Sequence, residues 1–321
     1  MKEWEQEVLG QYDIDVTNMR KVRSGMFCES KQGIFLLKET NLSEKRLHML
    51  EKLSTQLKEA DFAEIDTLVR NTEGKLACEL EDGSRYVLKK WFDGKECDVK
   101  RENELLSATK NLTKLHKALR QCEVECYQRE ELQQEYFRHN RELKKVRSFI
   151  RGKVDKGKFE NDFLSNFEMM YEWAEGALEK LNASNYKQIP VNLMHGDYNY
   201  HNVLMLHESM ATTNFEHFEC GVQVTDLYYF LRKTMEKYEW DIKLGERMLN
   251  YYQRFRTITK EEMEYIGILM AYPEKFWKAA NAYSRAKKAW IPAKSLEKLE
   301  MVTQQLENKK RFLDKVLDFQ L

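Results

Sequence analysis

Thirteen consecutive residues, Leu193-Met-His-Gly-Asp-Tyr-Asn-Tyr-His-Asn-Val-Leu-Met205, set a carboxylate and a carboxamide five positions apart on a loop with apolar ends. That spacing suits phosphoryl transfer. Asp197 can accept the proton of an attacking hydroxyl while Asn202 offers its amide oxygen to a magnesium ion. The competing reading is a polar loop that merely ends a strand, since so few matched positions also recur by chance. The surrounding elements must decide.

His195-Gly196-Asp197 with Asn202 resembles the catalytic loop of aminoglycoside phosphotransferases and choline kinases, relatives of the protein kinases in which His-Gly-Asp replaces His-Arg-Asp. The resemblance implies a second metal ligand shortly after the loop, the first Asp of an apolar-Asp-Phe-Asp run. Here the matching run is Thr212-Thr-Asn-Phe-Glu-His-Phe218. Asp226-Leu227 and Phe230-Leu231 match the family's next helix, whose leading Asp braces the loop together with His195, so the metal position falls on Asn214. Magnesium is normally held through carboxylates and substrate phosphates, and a neutral amide supplies an oxygen without the charge. Glu216 points the same way two residues on, but its longer side chain and displaced position make rescue the weaker expectation.

The N-terminal region must supply the nucleotide half of such a machine. Met19 to Ser30 and Gly33-Ile-Phe-Leu-Leu-Lys38, joined by a Lys-Gln-Gly turn, carry a β-hairpin signature, and Lys38 stands where a kinase places its phosphate-pairing lysine. Asn41-Leu-Ser-Glu44 fits a capping box, and Leu47, Leu50 and Leu57 then recur at helical spacing. Glu44 or Glu51 of that helix is expected to pair with Lys38. The hairpin has a single glycine, Gly25, where protein kinases use three. Ile65–Leu80 and Ser84–Asp93 read as further strands around turns at Asn71–Gly74 and Asp82-Gly83, and Trp91-Phe-Asp-Gly94 falls where the family's hinge begins. Leu105, Leu106, Leu112, Leu115 and Leu119 then mark an amphipathic helix. Its Leu112-Thr-Lys-Leu115-His116 resembles the family's Leu-x-x-Leu-His element; His116 reads as a packed core histidine.

Strand signals before Asp93 and helical ones after it predict two domains in this chain of 321 residues. Residues 1–93 would form a nucleotide-type lobe, and residues 94–321 a helical lobe with the catalytic-type loop 193–205 and a tail at 262–321. The fold class expected is α+β, a protein-kinase-like two-lobed fold with a small antiparallel-sheet N-lobe and a large helical C-lobe. Lys and Arg total 53, as do Asp and Glu, so net charge is zero and gives no electrostatic case for nucleic acid or an anionic membrane. No apolar run approaches the ~18 residues of a membrane span, and the start lacks a signal peptide's apolar stretch, so synthesis in the cytoplasm is expected. Six scattered cysteines do not frame a disulfide scaffold, which suits a reducing compartment. Cys122 and Cys126, with His116 and His139 nearby, lack the usual zinc spacing. The charged stretch from Arg120 to Lys158 reads as a solvated helix and loop.

The C-terminal third narrows the family. Tyr272-Pro-Glu-Lys-Phe-Trp277, then Asn281-Ala-Tyr283, then Lys287-Lys-Ala-Trp290-Ile-Pro292 resembles the tail of the CotS-type bacterial spore coat proteins. Physically, Tyr272, Phe276 and Tyr283 fall at core-facing intervals, and Pro273 can begin a helix. The resemblance implies a protein made in the mother cell and deposited in the spore coat, with other coat proteins as partners and a small molecule or glycan as a conceivable ligand. Two readings follow. In the first, Asn214 has left the site catalytically degenerate, and the chain is a structural or recruiting coat component. In the second, Lys38, Asp197 and Asn202 serve an active phosphotransferase that uses ATP and Mg2+ on a hydroxyl of a small molecule, a glycan or a coat protein. Asn214 favours the first, because phosphoryl transfer depends on metal charge and positioning.

Overall fold

The computed structural model describes residues 2–127, 131–285 and 293–321. Lys287, Trp290 and Pro292 of the tail motif lie outside the described residues. The chain divides into two compact units, one drawn from Met1–Tyr127 and Asn192–Asp226, the other from Gln128–Val191 and Leu227–Leu321.

The first unit starts with α1 (Glu3–Leu9), β1 (Val16–Val22), β2 (Gly25–Ser30), β3 (Gly33–Glu39) and α2 (Glu44–Glu59). Next come β4 (Thr67–Val69), β5 (Cys78–Glu79), β6 (Arg85–Lys90), β7 (Lys95–Glu96) and α3 (Glu102–Leu119). After α4 (Leu132–Arg151) and α5 (Lys158–Ala183) of the second unit, the chain supplies β8 (Val191–Met194), β9 (Val203–Met205), β10 (Met210–Thr212) and β11 (Glu219–Val222). Helices α6 (Val224–Met235), α7 (Ile242–Gln253), α8 (Lys260–Ala271), α9 (Glu274–Arg285), α10 (Ala293–Gln304) and α11 (Leu306–Leu317) complete it.

The main sheet is antiparallel in the order β1-β2-β3-β6-β4, with β5 also on β6. Gly25 is required at the start of β2. Its φ is +155°, and a Cβ there would lie 2.4 Å from the Leu37 carbonyl oxygen. Pairing of Leu36 with Lys89 and of Lys38 with Val87 puts all four side chains on one face, because directly opposed residues and residues two apart point the same way. Val87 of that face packs with Leu47 of α2, while Phe35, Leu37 and Leu88 on the other face pack with Val8 and Leu9 of α1.

Three local expectations are corrected. Helix α2 is capped by Ser43, whose side chain accepts the Arg46 N–H at 3.3 Å, so no Asn41–Glu44 capping box forms and Glu44 is already inside the helix. The stretch read as solvated contains α4, which buries Tyr136, His139, Leu143, Val146 and Ile150 on one side. Cys126 and Cys220 form a disulfide with Cα atoms 5.6 Å apart, a pairing across 94 residues that local spacing could not reveal. Nor do Cys122, Cys126, His116 and His139 converge on a metal, since Cys126 is bridged and His116 pairs with Asp226.

In the second unit the tail aromatics are core. Tyr272 stacks on Tyr136, Phe276 on Phe163 and Tyr283 on Phe159, with Pro273 separating α8 from α9. Among the described residues no helix is long and apolar enough to cross a membrane.

Candidate active site

The loop after β8 is held from below by one carboxylate. Asp226, in the first turn of α6, accepts the N–H of His195 at 2.8 Å and of Gly196 at 2.9 Å, and its Oδ2 lies 3.3 Å from His116 Nε2. All three side-chain partners, Asp226, His195 and His116, are fully buried. Gly196 has φ +80°, and a Cβ on it would stand 2.1 Å from the His217 carbonyl oxygen, so only glycine lets the loop pass that segment. The His195 ring donates from Nε2 to the Thr213 carbonyl at 3.0 Å and accepts the Asp197 N–H on Nδ1 at 3.2 Å. One donor and one acceptor define a neutral imidazole. Burial lowers its pKa although Asp226 works the other way.

The loop brings Asp197 and Asn202 together, and the geometry adds a third side chain. Asp197 accepts Asn199 Nδ2 on Oδ1 at 3.1 Å and Asn202 Nδ2 on Oδ2 at 3.0 Å. Asn202 Nδ2 also donates to the Asp197 backbone carbonyl at 2.8 Å, which fixes the orientation of the Asn202 amide. Its Oδ1 therefore faces Asn214, whose Nδ2 donates to it at 2.8 Å. Asn214 adopts the left-handed conformation (φ 64°, ψ 50°) that asparagine tolerates better than most residues. Its backbone N–H donates to Asp66 at 3.1 Å, and its own Oδ1 is buried without a partner.

Beside this chain of amides lies a closed set of charges. Lys38 Nζ is 2.5 Å from Glu216 Oε2, Lys89 Nζ is 2.8 Å from Glu216 Oε1, and Lys89 is also 2.8 Å from Asp66. Burial opposes ionisation of Glu216, but Lys89 and Lys38 outweigh it and hold the carboxyl down at about 2. Burial likewise opposes the charge on Lys89, yet Asp66 and Glu216 raise its pKa. Lys38 thus pairs with Glu216 rather than with a helix glutamate. Glu51 turns to Arg70, 2.6 Å away, and Glu44 to Arg85, because α2 presents Arg46 inward instead. Arg46 Nη2 donates to the Glu216 carbonyl at 3.0 Å and to the Phe218 carbonyl, with the guanidinium 3.7 Å from the centre of the Phe218 ring. The nucleotide-side expectation that Glu44 or Glu51 pairs with Lys38 is corrected accordingly.

A third contact ties the hairpin turn to the loop. Glu96 of β7 meets His201 Nδ1 at 2.5 Å and Arg23 Nε at 3.2 Å.

The donor set fits a divalent cation poorly. The Asn202 oxygen is taken by an N–H, both Asp197 oxygens accept amides, and Glu216 is shared between two lysines. The remaining amide oxygen, Asn214 Oδ1, brings no charge. Among the described residues no cluster of three or more His, Cys, Asp or Glu is arranged to hold a metal. Sequence reasoning missed Asp66, Lys89 and Arg46. The available signal was a lysine on the Val87 face of an apolar strand and an arginine on the apolar side of α2.

This fold is that of the kinase-like phosphotransferases. The structure is similar to that of an aminoglycoside phosphotransferase from Alicyclobacillus acidocaldarius subsp. acidocaldarius DSM 446, with TM-score 0.84, 16% identity and coverage of 98% of this chain and 95% of that one. It is also similar to a spectinomycin phosphotransferase in complex with ADP and spectinomycin (TM-score 0.69, 13% identity, coverage 95% and 97%). A third similar structure is an amicoumacin kinase in complex with AMP-PNP and Ca2+ (TM-score 0.62, 13% identity, coverage 98% and 94%). At these identities the likeness establishes the fold alone. No curated protein matches the sequence significantly. The model of the family described as "Spore coat putative kinase YutH" matches residues 5–316, and the chain belongs to that family.

Proposed function

We infer that this chain is a spore coat component whose kinase-like site no longer carries out metal-dependent phosphoryl transfer and serves as a structural or recruiting element. One observation carries the reading, the hydrogen bond from Asn214 Nδ2 to Asn202 Oδ1. It puts a donor where a metal ligand should offer an oxygen, and it consumes the oxygen that Asn202 would contribute. Phosphoryl transfer gains nearly all its acceleration from charge and positioning, so a site that turns an N–H toward the metal position loses most of its chemistry. The Lys38–Glu216 pair supports the same reading, since an internal carboxylate already neutralises the lysine that would meet nucleotide phosphates. Family membership supports synthesis in the mother cell, deposition in the coat and other coat proteins as partners. A small molecule or glycan is the class of ligand a retained pocket would take.

The test is thermal melting of the whole protein with ATP, with and without magnesium. An intact site would be stabilised by ~2.7 kcal/mol at a hundred times the dissociation constant. The expected result is a small shift, the same with and without magnesium; a magnesium-dependent rise of several degrees overturns the reading.

The second reading, an active ATP-dependent phosphotransferase, is favoured by the ordered Asp197–Asn202 pair alone. In it Asp197 accepts the proton of the acceptor hydroxyl, and Lys38 leaves Glu216 to pair with phosphate oxygens. ATP hydrolysis that is lost in Asp197→Ala would establish it.

A further inference from the structure

The second unit contains a small cavity, lined among others by Arg232, Glu236, Trp240, Lys275, Gln305 and Lys309, where cations outnumber carboxylates. Glu236 is already committed twice and Glu274 three times. Glu236 binds Arg232 Nη1 at 2.9 Å and Lys275 Nζ at 2.7 Å. Glu274 takes Lys278, lies 3.6 Å from Arg232 Nη2 and accepts the Tyr228 hydroxyl at 3.1 Å. Lys309 has no such partner among the described residues. Its Nζ has one long contact, 3.4 Å to the Ala271 carbonyl, and faces the rings of Trp173 and Trp240 with centroids at 5.3 and 5.6 Å. Arg232 Nε is buried and unpartnered. One buried donor is therefore left without an acceptor, at a cost, in a cavity also lined by an ammonium that has a single carbonyl and two rings for partners.

We propose that this cavity is a binding site for a small oxyanion of the phosphate or sulfate class. Several acceptor oxygens on a compact centre match the free Arg232 Nε–H and the Lys309 ammonium together, as they do wherever arginine and lysine converge on phosphate. The cavity's size admits a single tetrahedral group and not a nucleotide. The neighbours agree in sign. Burial brings the Lys309 pKa down to about 7, Glu236 and Glu274 pull it up, and Arg232 and Lys275 push it further down, so an anion is what would keep it charged. Gln305, which accepts the Trp240 Nε1–H at 3.1 Å and donates to the Glu236 carbonyl at 3.2 Å, holds the wall of the cavity rather than competing for the anion.

The experiment titrates the full chain with sodium phosphate and with sodium sulfate, read by melting temperature and by calorimetry, against sodium chloride at equal ionic strength. A saturable rise with either oxyanion and none with chloride is expected. Lys309→Gln should weaken the apparent affinity at least tenfold, and it removes no ion pair, so folding is expected to survive. Lys38→Gln is the control for the other unit and should leave the affinity unchanged, which separates this proposal from the reading of the kinase-like site. Arg232→Lys should weaken binding too, provided that it folds; Lys309→Gln decides the matter without it. No saturable shift, a shift unchanged in Lys309→Gln, or a shift abolished in Lys38→Gln would each overturn the proposal.

Discussion

Two buried charge clusters, one in each unit, obey opposite arithmetic. Lys38 and Lys89 meet Asp66 and Glu216, two charges of each sign, and the two central members, Lys89 and Glu216, are drawn toward their ionised forms. Arg232, Lys275 and Lys278 share Glu236 and Glu274, and Lys309 beside them pairs with no carboxylate among the described residues. A balanced cluster can be a lock, since each removal strands a partner. An unbalanced one favours whatever supplies the missing sign. The first cluster fixes the segment that carries Asn214 against the sheet, through Asp66 at the Asn214 N–H and Glu216 two residues on.

The largest effect should come from breaking the balance. Lys89→Met leaves Asp66 and Glu216 buried with Lys38 as their one cation, and removing one partner of such a cluster costs about 3–5 kcal/mol. Urea unfolding measures it. A loss below ~1 kcal/mol would mean that water screens the cluster and that the lock does not exist.

Acid should open the same cluster somewhat less severely. Glu216 has its folded pKa depressed to about 2 from the ordinary 4.5. A depressed carboxyl contributes stability that is fully present above the unfolded value and is lost as pH falls through the folded one. The window is therefore pH 4.5 down to 2, and the contribution is of order 3 kcal/mol from the size of the shift. His195 adds a loss of the same sign below its unfolded pKa, because it is buried neutral. Glu216→Gln should flatten the pH 4.5–2 part of the stability profile; an unchanged profile would place the acid sensitivity elsewhere.

Asn214→Asp tests the amide network. The substituted carboxylate would face Asn202 Oδ1, now 2.8 Å from Asn214 Nδ2, turning a hydrogen bond into a repulsion. Without magnesium the expected cost is about 1–3 kcal/mol. Magnesium should restore most of it, since two facing oxygens are what a cation bridges. Melting scans with and without the metal decide. If Asn214→Asp is stable without magnesium and indifferent to it, the amide bond is not what blocks the metal.

What could be read without coordinates follows from how local each cause is. The hairpin β2–β3 and helix α3 declare themselves because glycine turns and leucine spacing act within a few residues. The Asp226 brace was legible through its register after the loop, and Asn214 was legible as a departure from a pattern. Lys89 was not, because its partners Asp66 and Glu216 lie 23 and 127 residues away and a strand lysine is ordinarily a surface residue. The Cys126–Cys220 disulfide and the replacement of a helix glutamate by Arg46 were hidden for the same reason. Helical periodicity predicts which side of a helix is buried, and it says nothing about a charge that will be buried with it.

The smallest effect should have the opposite sign, and it bears on the second cluster. Lys309→Met keeps most of the aliphatic stem between Trp173 and Trp240 and deletes the surplus charge. In phosphate-free, sulfate-free buffer at pH 7 the variant should be more stable than the parent by about 1 kcal/mol, where Lys89→Met is less stable; the ring contacts and the Ala271 hydrogen bond that the ammonium gives up offset most of the desolvation relieved. The sign in pH follows from the folded pKa of about 7 against the ordinary 10.5. Between these values the unfolded chain binds more protons, so the parent gains stability as pH rises and the advantage of Lys309→Met shrinks to nothing above pH 10.5. Burial also lowers the pKa of neighbouring Lys275, so the same profile measured in Lys275→Gln separates its part from that of Lys309. Adding phosphate at pH 7 should reverse the order, because the parent gains an anion that the methionine variant cannot hold. A variant less stable than the parent in both buffers would mean that Lys309 is already compensated, and the contrast between the two clusters would fail.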